Sequence, residues 1–114
     1  MHDIKMREMF CRPADERALL AYIMAKGANF YSVAAKIDPK DLLYDQHVTL
    51  MLVFSTLISR GVEKLDLNIV ISETQNQGVM ESVGGLKYIK TISDIAISKE
   101  NFEIYLKSVV ESIT

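Results

Sequence analysis

Residue types that could do chemistry occur along this chain, but none lies in a pattern typical of an active site. A phosphate-binding loop needs spaced glycines and a lysine next to Ser or Thr, because backbone N–H groups and an ammonium must surround the phosphates. The stretch Gly84-Gly85-Leu86-Lys87 has neither the spacing nor the hydroxyl. It therefore predicts a tight corner between two helices and no nucleotide site.

Histidine and cysteine are too few for zinc, which needs several such ligands at short spacing. The chain has one Cys and two His, far apart. His47 lies two residues after Asp45, so a proton relay is conceivable, but a histidine that hydrogen-bonds near a helix cap is the interpretation we favour. Cys11 has no neighbouring base and is interpreted as inert packing. We predict no catalytic residue, metal ligand or cofactor in this segment.

Acidic pairs and aromatic residues also have structural explanations. Asp15-Glu16 and the Asp38/Asp41 pair are interpreted as cap and first-turn charges, which the helix dipole favours. Three aromatic side chains could stack on nucleic acid bases: Phe30, Tyr31 and Tyr44. We interpret them as core or rim packing, since the net charge of −2 is unlike a surface that grips phosphates.

Composition predicts one helical domain. A length of 114 residues suits a single core, and only 5 Gly and 2 Pro favour helices with short joints over many turns. The longest apolar run, Leu50 to Phe54, is far short of the roughly 20 residues that a membrane span needs. The polar start shows no secretory signal, so we expect a cytoplasmic protein without membrane contact.

Helical periodicity and capping signals predict about six helices after a flexible or partly docked arm, residues 1–12. Pro13 should open the first helix and Gly27 should end it. The caps predicted for later helices are Asn29, Asp45, Asp66 and Ser98. The other predicted limits are Arg60 for the third helix, Gln77 for the fourth, and Leu86 to about Ala96 for the fifth.

The predicted fold is all-α, a compact bundle of about six helices around a buried central helix. Eight of the eleven residues from Val48 to Ile58 are apolar, and a helix that is apolar nearly all round is usually buried. We therefore expect the third helix to be the central one. The run Leu67–Ile71 is β-branched, but the cap at Asp66 and the glycine at position 78 favour a helix there.

The last helix has an apolar stripe that continues to the final residues of the sequence without a stop signal. Phe102, Leu106 and Val109 follow helical spacing, and the series extends to Ile113. We interpret this end as the cut edge of a longer polypeptide, the alternative being a helix that frays at a natural terminus. The unfinished stripe makes three residues candidates for a partner interface, with core packing as the alternative: Val109, Val110 and Ile113.

Several segments, taken in order, resemble the N-terminal domain of DnaB-type replicative DNA helicases. The segments that carry the resemblance are Asp15–Leu20, Asp41–His47, Gly61 with Asp66, Gly78–Ile89, and Asn101 with Tyr105. The glycine-rich segment Gly78–Ile89, with an aromatic two residues after Leu86, matches best. The departures are Ala21 for a glycine, Leu43 for a phenylalanine, and a missing proline between Gly61 and Asp66.

The resemblance implies a helical head domain over residues 13–114, with the family's helical hairpin and RecA-type ATPase domain absent from this chain. In that family, heads and hairpins associate as dimers, three of which form a collar on a hexameric ring, and the collar meets primase or a helicase loader. DNA unwinding, ATP and magnesium would belong to the absent ATPase domain. The implied function is assembly and partner docking in DNA replication, without catalysis.

Three other functions stay open. The same features would suit a free-standing regulator or loader-like paralogue that binds a helicase. A DNA-binding helical module is a further alternative, although the acidic charge makes direct DNA contact unexpected. An independent enzyme lacks any supporting group of residues.

Overall fold

Six α-helices and two short 3-10 turns make up residues 13–113, the part of the chain that the computed structural model describes. The α-helices are α1 Pro13–Ala25, α2 Phe30–Ala34, α3 Asp45–Ser59, α4 Leu67–Gln77, α5 Leu86–Ser93 and α6 Lys99–Ile113. The 3-10 turns span Gly27–Asn29 and Pro39–Asp41, and no strand occurs within 13–113. The predicted all-α fold is therefore confirmed, whereas the predicted arm, residues 1–12, lies outside the described residues.

Most predicted helix boundaries follow the local capping chemistry. Pro13 is the first residue of α1, and Asp66 caps α4 by accepting a hydrogen bond from the Ile69 N–H at 3.0 Å. Ser98 Oγ accepts from the Asn101 N–H at 3.1 Å before α6. Gly78 ends α4 with φ of +70°, the left-handed conformation that glycine adopts without a Cβ penalty.

Two predicted side-chain caps were wrong. Asp45 is the first residue of α3 rather than its cap, because the helix already begins with the Tyr44 carbonyl accepting from the N–H groups of His47 and Val48. The Asn29 side chain makes no cap bond to α2, and its amide points back to the Lys26 carbonyl. Gly27, predicted to end α1, follows the last helical residue, Ala25, by two positions. The backbone of Glu63 approaches Gly27 so closely that a Cβ would collide with its carbonyl.

The central helix is α1. The sequence had predicted α3 in this position, and that prediction was wrong. Seven consecutive residues of α1, Ala18 to Met24, are buried, because this helix packs against α3, α5 and α6. In contrast, α3 leaves Leu52 half exposed, so its apolar sequence does not mean burial on every side. The radius of gyration of 13.2 Å matches the value of about 13 Å for a compact chain of this length.

The long helices α1 and α6 are joined by both apolar and polar contacts. The rings of Tyr22 and Phe102 stack with centroids 4.2 Å apart, and Ser108 Oγ donates to Asp15 Oδ2 at 2.9 Å. Leu106 and Val109 continue the buried face of α6. None of the helices within 13–113 is both long and apolar enough to cross a membrane.

Candidate functional site: a buried polar network

Glu16, in the first turn of α1, is a fully buried carboxylate. An ionised carboxylate in an apolar interior is costly unless hydrogen bonds compensate for the lost water. Glu16 Oε2 accepts from the Leu43 N–H at 2.7 Å, and Oε1 lies 2.7 Å from His47 Nδ1. The carboxylate therefore joins α1 to the loop before α3 and to α3 itself.

His47 is the central member of the network. Its ring is fully buried in the first turn of α3, and its second nitrogen, Nε2, lies 2.6 Å from Tyr88 Oη in α5. Because a carboxylate only accepts hydrogen bonds, Nδ1 donates to Glu16, and in the neutral ring Nε2 accepts from the Tyr88 hydroxyl. Every polar atom of the buried imidazole is thereby satisfied.

The corner before α5 places Tyr88. Gly84 and Gly85 have φ of +95° and +92°, which turn the chain so that α5 begins directly beside His47. A Cβ on Gly84 would lie 3.1 to 3.2 Å from the Tyr88 side chain, so this side chain packs directly on the glycine backbone. The glycines therefore position the residue that completes the network.

These three residues form the Glu16–His47–Tyr88 network, which organises structure rather than presenting a reactive group to a substrate. Glu16 and His47 are fully buried, and both His47 nitrogens already have partners. A surface groove of about 470 Å³ lies in another part of the domain, and its lining residues are Tyr31, Ile58, Gly61, Val62 and Glu63. What the arrangement does is fix three helices relative to one another.

The sequence correctly predicted that His47 forms a hydrogen bond, but it indicated the wrong carboxylate as the neighbour. Its carboxylate partner is Glu16, 31 residues away, and the nearby Asp45 is exposed. The helical spacing of apolar residues could have indicated that Glu16 and His47 are both buried. Glu16 precedes Leu19, Leu20 and Ile23 by three, four and seven residues, and His47 precedes Leu50, Met51 and Phe54 in the same way, so both lie on buried faces.

A second polar cluster joins the end of α3 to α4. Arg60 Nη1 donates to Glu73 Oε1 at 2.6 Å, and Gln77 Nε2 donates to Glu73 Oε2 at 2.8 Å. The Glu73 side chain is only 5% exposed. The Gln77 hydrogen bond, assisted by the Arg60 hydrogen bond and charge, holds the pKa of Glu73 below its ordinary value of 4.5, although burial alone would raise it.

The predicted interface residues on α6 differ in exposure. Val109 is fully buried, so the core alternative holds for this residue, whereas Val110 and Ile113 are half-buried. On the outer side of α6, Ile104 is 63% exposed. A groove of about 480 Å³ runs beside Val110, with a charged rim that includes Lys36, Glu103, Lys107 and Glu111. A role of Val110 and Ile113 in an interface stays a prediction.

The aromatic candidates for base stacking do not form a common exposed surface, although the rings of Phe30 and Tyr31 meet edge-on with centroids 6.0 Å apart. Phe30 is buried in the core, and Tyr44 meets the edge of the His47 ring at a centroid distance of 5.4 Å. Tyr31 is 63% exposed, at the groove beside Val62. Packing therefore accounts for Phe30 and Tyr44.

A family model decides what this fold is. The model for the DnaB-like helicase N-terminal domain matches residues 9–111. The chain belongs to this family. The segments of the DnaB-like domain that carry the sequence resemblance are also the ones that supply the network, since Glu16, His47 and Tyr88 lie in three different segments of that set.

Known proteins agree with this assignment. The Replicative DNA helicase DnaC of Bacillus subtilis (strain 168) is 30% identical over 96 residues, which are 84% of this chain. The DnaB-like chain thus spans only 21% of the length of that relative. The N-terminal domain of DnaB helicase from Mycobacterium tuberculosis has the same fold, with a TM-score of 0.79 at 22% identity over 91% of this chain and 72% of that chain.

Proposed function

We propose that this DnaB-like domain is the assembly and partner-docking head of a replicative DNA helicase and catalyses nothing itself. The observation that carries the proposal is the family match over residues 9–111, together with a relative named as a replicative helicase of which the chain spans about a fifth. ATP-dependent unwinding, with its ATP and magnesium, is proposed for the part of the parent protein outside this chain.

The internal chemistry of the domain supports a role in shape and contact. Its best-connected polar groups, Glu16 and His47, bond to each other and to backbone in the interior. Charges of both signs line the groove beside Val110 on α6. We propose that this side of α6, with Val110 and Ile113, contacts a second copy in the collar, and that the head also offers a surface to primase or a helicase loader.

Titration of the fluorescently labelled chain with a bacterial primase, followed by anisotropy, tests the docking role. We expect saturable binding to the primase and none to duplex or single-stranded DNA, since the net charge of −2 gives the chain no excess of cations to replace counterions. Binding to DNA that weakens steeply with salt, without binding to primase, would contradict the proposal and favour the DNA-binding module.

Adding an intact replicative helicase to the same titration distinguishes the alternative of a free-standing regulator. A head domain that normally forms part of a helicase subunit should compete poorly with the covalently attached heads of a complete ring. Tight binding to the intact ring, without self-association of the chain, would indicate a separate helicase-binding regulator and contradict the assembly role.

A further inference from the structure

The segment from the corner through α5, residues 80–97 and here called the α5 segment, has only one side-chain hydrogen bond to other parts of residues 13–113. That bond joins Tyr88 Oη to His47 Nε2 at 2.6 Å. The remaining side-chain bonds of the segment are local, from Thr91 to the Lys87 carbonyl and from Ser93 to the Lys90 carbonyl. A single polar contact therefore connects this segment to α3.

Apolar contacts supply the rest of its attachment. Val83, Ile89 and Ile92 are fully buried against the core. Hydrophobic burial keeps the segment attached, but because it is non-directional it defines the orientation less sharply than a hydrogen bond does. A short hydrogen bond to a buried, fully partnered ring has a defined geometry and does select one.

Non-helical backbone lies on both sides of the helix α5 itself. Gly84 and Gly85 both have positive φ at the start of α5, and residues 94–98 between α5 and α6 form no helix. The elements on either side, α4 and α6, are longer helices with their own contacts to the core. The α5 segment packs on α1 and α4 and has non-helical backbone on both sides of its helix. Proteins commonly open locally in contiguous units of this kind.

We propose that the α5 segment opens as a separate unit of the domain, and that the Tyr88–His47 hydrogen bond is the latch that holds it in register. The latch sets the position of the outward side chains of α5, in which Leu86 is 52% exposed and Lys87 and Lys90 are exposed. While the latch is closed, this face of α5 has a single orientation toward any partner that contacts it. This inference concerns the fold itself and does not depend on the proposed helicase role.

Hydrogen exchange of the 114-residue chain, measured by mass spectrometry, tests the latch. Tyr88→Phe removes only the hydroxyl, and loss of one buried hydrogen bond should raise exchange in α5 by about tenfold. Peptides from α3 and α6 should change much less. The matched control is Tyr105→Phe, which removes the same atom from a half-buried tyrosine of α6 and should leave exchange in α5 unchanged.

Two outcomes of this comparison would overturn the proposal. One is unchanged exchange of α5 in Tyr88→Phe, and the other is an equal rise in α3, α5 and α6, which would mean global destabilisation. His47→Phe gives a second test because it keeps a flat ring but removes both nitrogens. Adding Tyr88→Phe to His47→Phe should raise exchange in α5 no further, and a full additional tenfold rise would also contradict the latch. If His47→Phe fails to fold, the comparison of Tyr88→Phe with Tyr105→Phe decides alone.

Discussion

At the scale of residues, two neighbouring side chains in the first turn of α1 connect this helix to four other segments of the domain. Glu16 bonds to the Leu43 backbone and to His47, and through His47 it is linked to Tyr88. Asp15 accepts from Ser108 of α6. The helix dipole explains why acids occur at this turn, but only the fold explains why one of them is buried.

Replacing Glu16 should cost far more stability than replacing its neighbour. Glu16→Ala leaves a buried histidine and the Leu43 N–H without their partner, and we expect a loss of about 3 to 5 kcal/mol of the free energy of unfolding. Asp15→Ala removes one half-buried hydrogen bond and should cost about 0.5 to 1.5 kcal/mol. Urea unfolding of both variants measures the difference, and equal losses would contradict a buried network centred on Glu16.

Glu73 should make stability depend on pH in the acid range. Because its pKa is lowered in the folded state, its stabilising contribution is complete above the ordinary value of 4.5 and is lost as pH falls through the lower folded value. Urea unfolding between pH 7 and pH 3 should therefore show a decline below about pH 4.5 that is smaller in Glu73→Gln. Glu81→Gln, which removes the same charge from an exposed position, serves as the control, and an equally reduced decline there would contradict this assignment.

At the scale of elements, the local sequence predicted well which segments are helices, but it predicted poorly which helices pack against each other. The limits Leu67–Gln77 and the caps at Asp66 and Ser98 are local chemistry, and the structure reproduces them. The central position of α1 depends on which helices surround it, and that information is not local. For this reason the apolar α3 was expected in the centre, although its face at Leu52 is half exposed.

The candidate site shows the same division. Helical spacing places Glu16 and His47 on buried faces, so their burial was predictable from the chain. Their pairing was not, because 31 residues separate them and the nearer Asp45 competed as a partner. The role of Tyr88 depends on the turn made at Gly84 and Gly85, whose tight corner was predicted but whose direction was not.

The contact between α1 and α6 should depend on one face of α6. Phe102→Ala removes a buried ring that stacks on Tyr22, and we expect a loss of about 3 to 5 kcal/mol. Ile104→Ala, on the exposed side of the same helix, should change stability by less than about 0.5 kcal/mol. Thermal or urea unfolding measures both, and a cost for Ile104→Ala as large as that of Phe102→Ala would mean that the two faces of α6 are wrongly assigned.

At the scale of the whole molecule, the domain combines a well-connected interior with an outer surface that has unused apolar area. The three helices α1, α3 and α5 are held in register by the Glu16–His47–Tyr88 network, and α6 is docked by its inner face. A domain whose helices are fixed by such contacts is suited to holding other molecules in a defined geometry. This physical property links the fold to the proposed role as the head of a replicative helicase.

Sedimentation equilibrium of the chain over a wide concentration range tests the central claim that this domain works by association. We expect reversible self-association that Ile113→Asp weakens and that Thr91→Asp, an exposed substitution on α5, leaves unchanged. A single monomeric species up to about 1 mM, where even an interaction of about 4 kcal/mol would be half-formed, would contradict the claim.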